Sequence, residues 1–224
     1  MIRPTYVVLI ASFIFVIDVQ AQVPSQQNLR PKNLNAQYHR AETAWKSGSS
    51  LLEAKARVDQ VIEALPNDQE ALKLRARILL SLDRSEEAFT DAMKAANLYP
   101  NDAETYAIVC EAARKSGRRE AAIHAMDQVS QLIIDDAHLQ IQLSREAMAL
   151  EQYDRAEAFA RTAMVQAPND PSTHIQMARI FAVQNKTDAA ATILRNGIEA
   201  KVISRESVEA DTLLARVLAT VTND

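Results

Sequence analysis

The sequence predicts an all-α fold, an α-α superhelix in which helical hairpins of one size stack as a solenoid. Three observations predict it. Pro66-Asn67-Asp68 returns as Pro100-Asn101-Asp102 and again as Pro168-Asn169-Asp170, at an interval of 34 residues and then of twice 34; where a copy is due in between stands Ile134-Asp135-Asp136. Alanine then falls at one fixed place of every interval, as Ala54, Ala88, Ala122, Ala156 and Ala190. Finally, 224 residues contain only three glycines and 5% aromatic side chains. Sheet proteins need turn glycines and favour β-branched and aromatic residues, so this composition speaks for helix.

The elements follow in chain order. Residues 1–21 read as a secretory signal: Met1 to Tyr6 carries one Arg and no acid, Val7 to Ile17 is an apolar run broken only by Ser12, and Val19 and Ala21 are the small residues before a cleavage site. The run is short for a bilayer span, which wants about 20 apolar residues. An uncleaved membrane anchor is the competing reading. Residues 22–34, with Pro24, Pro31 and several side-chain amides, read as a solvated linker.

Five units then occupy 35–68, 69–102, 103–136, 137–170 and 171–204. In the first, one helix is expected over about 36–47 and a second over about 51–64, with "KSGSS" between them; "SLDRS", "KSGRR", "LEQYD" and "VQNKT" mark the same break in the later units. Proline lacks an amide hydrogen and disfavours helix in its predecessor, so it ends each second helix. The Asp two residues on can accept from the free amides of the next helix, which makes Asp68, Asp102, Asp136 and Asp170 candidate N-caps. Pro171 suits a first helical position. Residues 205–224 read as a capping helix and tail, with Ala210, Leu213, Leu214 and Val217 on its inner side.

Counting places from the start of each unit, place eight holds Glu42, Ala76, Cys110, Ser144 and Ala178, and place twenty-seven holds Val61, Ala95, Val129, Ala163 and Gly197. With alanine at place twenty and proline at place thirty-two, the array resembles the tetratricopeptide repeat family, whose unit is two antiparallel helices in 34 residues. The resemblance covers 35 to about 220. It departs at place eight, which is never glycine, at place four, aromatic only as Tyr38 and Tyr106, and in unit five, where Val202 replaces the proline.

The resemblance implies that first helices line a concave groove and that places two, five, nine and twelve face into it. Lys73, Arg77, Ile141, Arg145, Met148, Ile175 and Arg179 are then the expected partner-binding residues, basic near unit two and mixed apolar and basic in units four and five. Such a lining suits an extended peptide with acidic and aliphatic side chains, because Arg pairs bidentately with carboxylates. The family's clamp for a C-terminal carboxylate is not expected, since His39, Thr43, Leu74, Glu104 and Ile108 stand at its positions.

Composition and spacing narrow the chemistry. A net charge of −4 offers no basic face for nucleic acid. His39, His124, His138 and His174 are scattered among units with no i, i+4 pair, there is no Gly-rich phosphate loop, and the lone Cys110 can make neither a disulfide nor a zinc site. No cofactor and no enzyme activity are expected. The expected protein is an exported, noncatalytic scaffold for a protein or extended peptide, located in the periplasm or secreted and serving envelope assembly. Rival readings are a membrane-tethered adaptor that keeps its N-terminal segment, and an accessory subunit of an envelope enzyme.

Overall fold

A computed structural model describes residues 30–221. The expected signal, residues 1–21, and most of the expected linker lie outside this range. Within it the chain is helical throughout, and no strand occurs among the described residues. Five hairpins follow one another: α1 (Lys32–Ser47) with α2 (Leu51–Ala64), α3 (Gln69–Ser81) with α4 (Ser85–Leu98), α5 (Ala103–Lys115) with α6 (Arg119–Val129), α7 (Ala137–Ala149) with α8 (Tyr153–Gln166), and α9 (Pro171–Val183) with α10 (Thr187–Glu199). Two short helices, α11 (Arg205–Glu209) and α12 (Thr212–Val221), close the array. No described helix is long and apolar enough to cross a membrane.

The recurring Asp residues begin the first helices. Asp68 accepts from Ala71 N (3.0 Å), Asp102 from Glu104 N (3.2 Å), Asp136 from His138 N (2.8 Å) and Leu139 N (3.1 Å), and Asp170 from Ser172 N (2.9 Å). Each satisfies an amide that has no partner inside the helix. Pro171 stands in the first turn of α9, where its missing N–H costs nothing.

The hairpin turns share a backbone device that side-chain identity conceals. Each carries one left-handed residue: Gly48 (φ 64°), Asp83 (57°), Gly117 (76°), Glu151 (63°) and Asn185 (58°). In the last four the next residue's N–H reaches back into the helix: Arg84 to Leu79 O, Arg118 to Ala113 O, Gln152 to Ala147 O and Lys186 to Phe181 O, all at 2.8 Å. This is the Schellman arrangement, which satisfies carbonyls at a helix end. Gly117 adopts it freely and Asp or Asn tolerates it, whereas Glu151 does so against its own Cβ.

Small residues let the hairpins touch. Ala54, Ala88, Ala122, Ala156 and Ala190 are fully buried, as are Ala76, Cys110, Ser144 and Ala178 at place eight. At place twenty-seven of the last unit, a Cβ on Gly197 would stand 3.0 Å from the Ile203 side chain. Burial pushes the Cys110 thiol up to about 12. Each first helix packs on its own second helix, and α1, α3, α5, α7 and α9 also lie side by side in that order, while second helices of neighbouring units scarcely meet. Elements closer together on one side than on the other make an arc, so the first helices form its inner surface.

Three boundaries differ from expectation. First, α1 begins at Lys32 rather than near 36, and Arg30 is buried: its guanidinium clamps the Asp68 carboxylate and lies 4.0 Å over the Tyr38 ring. Second, α6 stops at 11 residues where α2, α4 and α8 run to 14. Tight bonds from Gln131 N to Gln128 O and from Leu132 N to Val129 O (both 3.1 Å) end it, and the Ile134 side chain turns into the core. Third, the capping helix is broken between α11 and α12. Asp211 at the break caps α12 through Leu213 N (3.0 Å) and pairs with Arg179 (2.6 Å); Ala210, expected inside, is exposed, while Val208 is buried.

Candidate interaction groove

The inner surface is built by the same face of successive first helices, so whatever occupies a place in one unit sits beside its counterpart in the next. Between α1 and α7 this surface dips into a cleft of about 270 Å³, lined by Trp45, Arg77, Leu80, Ile108, Lys115 and Gln142 among others. Trp45 is fixed from two sides. Its indole Nε1 donates to Ser81 Oγ (3.2 Å), and the Arg77 guanidinium lies 5.6 Å from its ring centre. A tryptophan face among charged and amide side chains suits an extended chain segment that must be oriented as well as held.

The charges here are largely committed to one another. Lys73 Nζ lies 2.9 Å from Glu70, 3.0 Å from Asp102 and 2.5 Å from Glu104, while Arg77 pairs with the other Glu104 oxygen. Burial alone would lower the Lys73 pKa, but the charges of Asp102, Glu104 and Glu70 outweigh it and hold the proton well above the usual lysine range. Burial would likewise raise the Glu104 carboxyl, yet Arg77 and Lys73 bring it down to about 2. Farther along, Arg114 of α5 pairs with Glu146 of α7 (2.7 Å), and Lys115 with Glu111 (2.9 Å).

The expected binding residues therefore divide. Lys73 is buried and surrounded by three carboxylates, so it is not the free groove cation expected of it. Arg77 does line the cleft, already paired. The basic patch foreseen near unit two is thus corrected to an ion-pair network, because Glu70 and Asp102 of the same unit and Glu104 of the following one neutralise it. Ile141 is 3% exposed and belongs to the core. Met148 is half-buried against the central cluster, and Ile175 against the cluster of α9 and α10. Arg179 is tied to Asp211. Arg145 is exposed; hydrogen bonds from Ser172, followed by the charges of His138 and then Arg145, keep the Asp170 carboxyl below the usual range.

Trp45, Ile108, Lys115 and Gln142 stand at places six, eleven and thirteen, outside the columns that the resemblance expects to face the groove. The lone tryptophan was the one sequence signal that could have drawn attention to this end of the groove. No group of three or more metal-binding side chains gathers among the described residues.

The chain matches no family model. It is 33% identical over 129 residues to a protein STIP1 homolog of Dictyostelium discoideum, in an alignment taking in 58% of this chain and 20% of that one, so the chain spans about a fifth of the curated relative's length. Among solved structures it is similar to PilW, described as a type IV pilus biogenesis factor (TM-score 0.69, 15% identity, 86% of this chain and 89% of that one). It is also similar to TTC0263, a thermophilic TPR protein of Thermus thermophilus (TM-score 0.62, 18% identity, 84% and 99%). A third, YrrB, is a TPR protein with an unusual peptide-binding site (TM-score 0.56, 15% identity, 83% and 90%). At these identities the likeness is one of fold. Helix order, hairpin pairing and the buried small residues give this chain the fold of the tetratricopeptide repeat solenoids.

Proposed function

We propose that this chain is an exported, noncatalytic scaffold that holds an extended segment of a partner protein along its inner groove, in the service of a cell-envelope assembly. The observation that carries the reading is the cleft between α1 and α7, where Trp45 offers an aromatic face beside Gln142 and Lys115 over a floor closed by the buried Leu80 and Ile108. The export part rests on the charge and hydropathy pattern of residues 1–21. The fold it shares with a pilus biogenesis factor and with a peptide-binding protein supports the scaffold reading by analogy.

Affinity capture from the native envelope tests it. Arg145→Glu with Lys115→Glu reverses two inner-face charges and should abolish capture of the partner at unchanged helicity, while Arg161→Glu on the second helix α8 should leave it intact. Equal capture by all three proteins would remove the groove from the binding surface. N-terminal sequencing of the mature chain decides the mode of export: Gln22 as first residue fits a cleaved signal, Met1 the tethered adaptor.

A further inference from the structure

The gaps between second helices of neighbouring units differ in chemistry along the array. Between α2 and α4, Arg75 of α3 reaches both Asp59 (3.0 Å) and Asp91 (2.6 Å), and between α6 and α8, Arg155 bridges to Asp127. Where unit two has Arg75, unit three has Val109. The gap between α4 and α6, with no such cation in its floor, holds a pocket of about 530 Å³. Small-molecule sites span roughly 300 to 1,000 Å³, so this one is of useful size. Half-buried Phe89 and Met93 form its apolar wall over a floor closed by Val109, and no Lys, Arg, Asp or Glu lines it. The Arg118 guanidinium, 4.9 Å over the Phe89 ring, is taken by Glu86 (2.5 Å).

Four polar side chains line the pocket: Asn97, Tyr106, His124 and Gln128. None of the four has a side-chain hydrogen bond among the described residues. All remain within reach of an occupant, since Asn97 and His124 are exposed and Tyr106 and Gln128 half-buried. Each can donate and accept at once: the amides through their two atoms, the imidazole through its two ring nitrogens, the phenol through one oxygen. A hydroxyl group has the same double character, whereas a carboxylate only accepts and an ammonium only donates. The apolar wall, for its part, takes a C–H face. An uncharged molecule with a C–H face and several hydroxyls around its edge is a neutral saccharide.

We propose that the α4/α6 pocket binds an uncharged saccharide, with Phe89 and Met93 against its C–H face and Asn97, Tyr106, His124 and Gln128 on its hydroxyls. The pocket opens between second helices, so the inner groove stays available to a partner at the same time.

Nuclear magnetic resonance of the full chain with isotope-labelled methionine methyls, titrated with maltose, cellobiose and N,N′-diacetylchitobiose to about 20 mM, tests this. At least one of them should move the Met93 methyl resonance saturably, with a Kd of about 5 mM or tighter, while the Met148 methyl stays still. His124→Ala with Gln128→Ala removes two of the four polar groups and should weaken binding roughly 10-fold or more at unchanged helicity. Thr162→Ala, at the place of Gln128 in the next unit, should leave binding as it was. A Met93 resonance unmoved by all three saccharides, a double variant that binds as tightly as the unaltered chain, or an equal loss in Thr162→Ala would each overturn the proposal.

Discussion

Lys73 on α3 and Asp102 at the start of α5 are held 3.0 Å apart, Nζ to Oδ2, so the inner-face lysine of one unit is anchored to the helix cap of the next. Asp102 also accepts from the Gln69 side-chain amide (2.7 Å) and the Thr105 hydroxyl (2.5 Å). The contact surface between consecutive hairpins is thus polar on its inner edge and apolar behind it. Because a hairpin gains stability only by stacking, such a junction bears on the whole array.

Lys73→Met keeps the volume and removes the charge, leaving Glu70, Asp102 and Glu104 facing one another. A loss of about 2 to 4 kcal/mol is expected in urea denaturation, since removing one partner of a buried pair strands the others. Adding Glu104→Gln should recover part of it, and a strictly additive double mutant would show that the two side chains do not interact.

Glu104 also sets a pH dependence. Its folded pKa of about 2 lies below the ordinary 4.5, so its contribution is fully present above 4.5 and disappears as the pH falls toward 2. The stability difference between the unaltered chain and Glu104→Gln should therefore shrink across that window and be flat from about pH 5 to 7. Because the carboxylate is 40% exposed, added salt should reduce the effect. A difference independent of pH would refute the assignment.

Ala122→Leu places a larger side chain where the alanine is fully buried between helices. Overpacking of this kind is expected to cost about 1 to 3 kcal/mol, read as a lower thermal or chemical midpoint. An unchanged midpoint would mean that the α5/α6 hairpin is not closed at this residue.

Glu151→Gly should do the opposite. The residue is exposed and left-handed at φ 63°, so glycine removes backbone strain at the end of α7, with a gain of about 0.5 to 1 kcal/mol. Gly117→Ala at the equivalent turn should lose a similar amount, and the pair of opposite signs is the diagnostic result.

Cys110 is buried with its thiol pushed up to about 12, so it should resist maleimide at neutral pH until the chain unfolds. Labelling at the rate of an unfolded control would place it at the surface.

The starts of α3, α7 and α9 were legible because their causes are local: Asp68 and Asp136 cap the residues just after them, and Pro171 starts the helix in which it sits. The groove was less legible. Lys73 and Arg77 looked free when each column of the repeat was taken alone, yet Glu104, 27 residues beyond Arg77, occupies both. The short α6 was hidden too, since losing a helix-breaking proline suggests a longer helix, and it is the burial of Ile134 that decides otherwise.

Caps, breakers and side-chain volume act within one hairpin, and for that reason the order of residues was enough to establish the helical repeat, its stride and the small residues of its core. Which charges pair with one another, that α6 stops short, and that the last helix breaks at Asp211 emerged from the folded chain alone. Those outcomes depend on side chains from neighbouring units competing for the same partners, and that competition begins only once the hairpins have stacked.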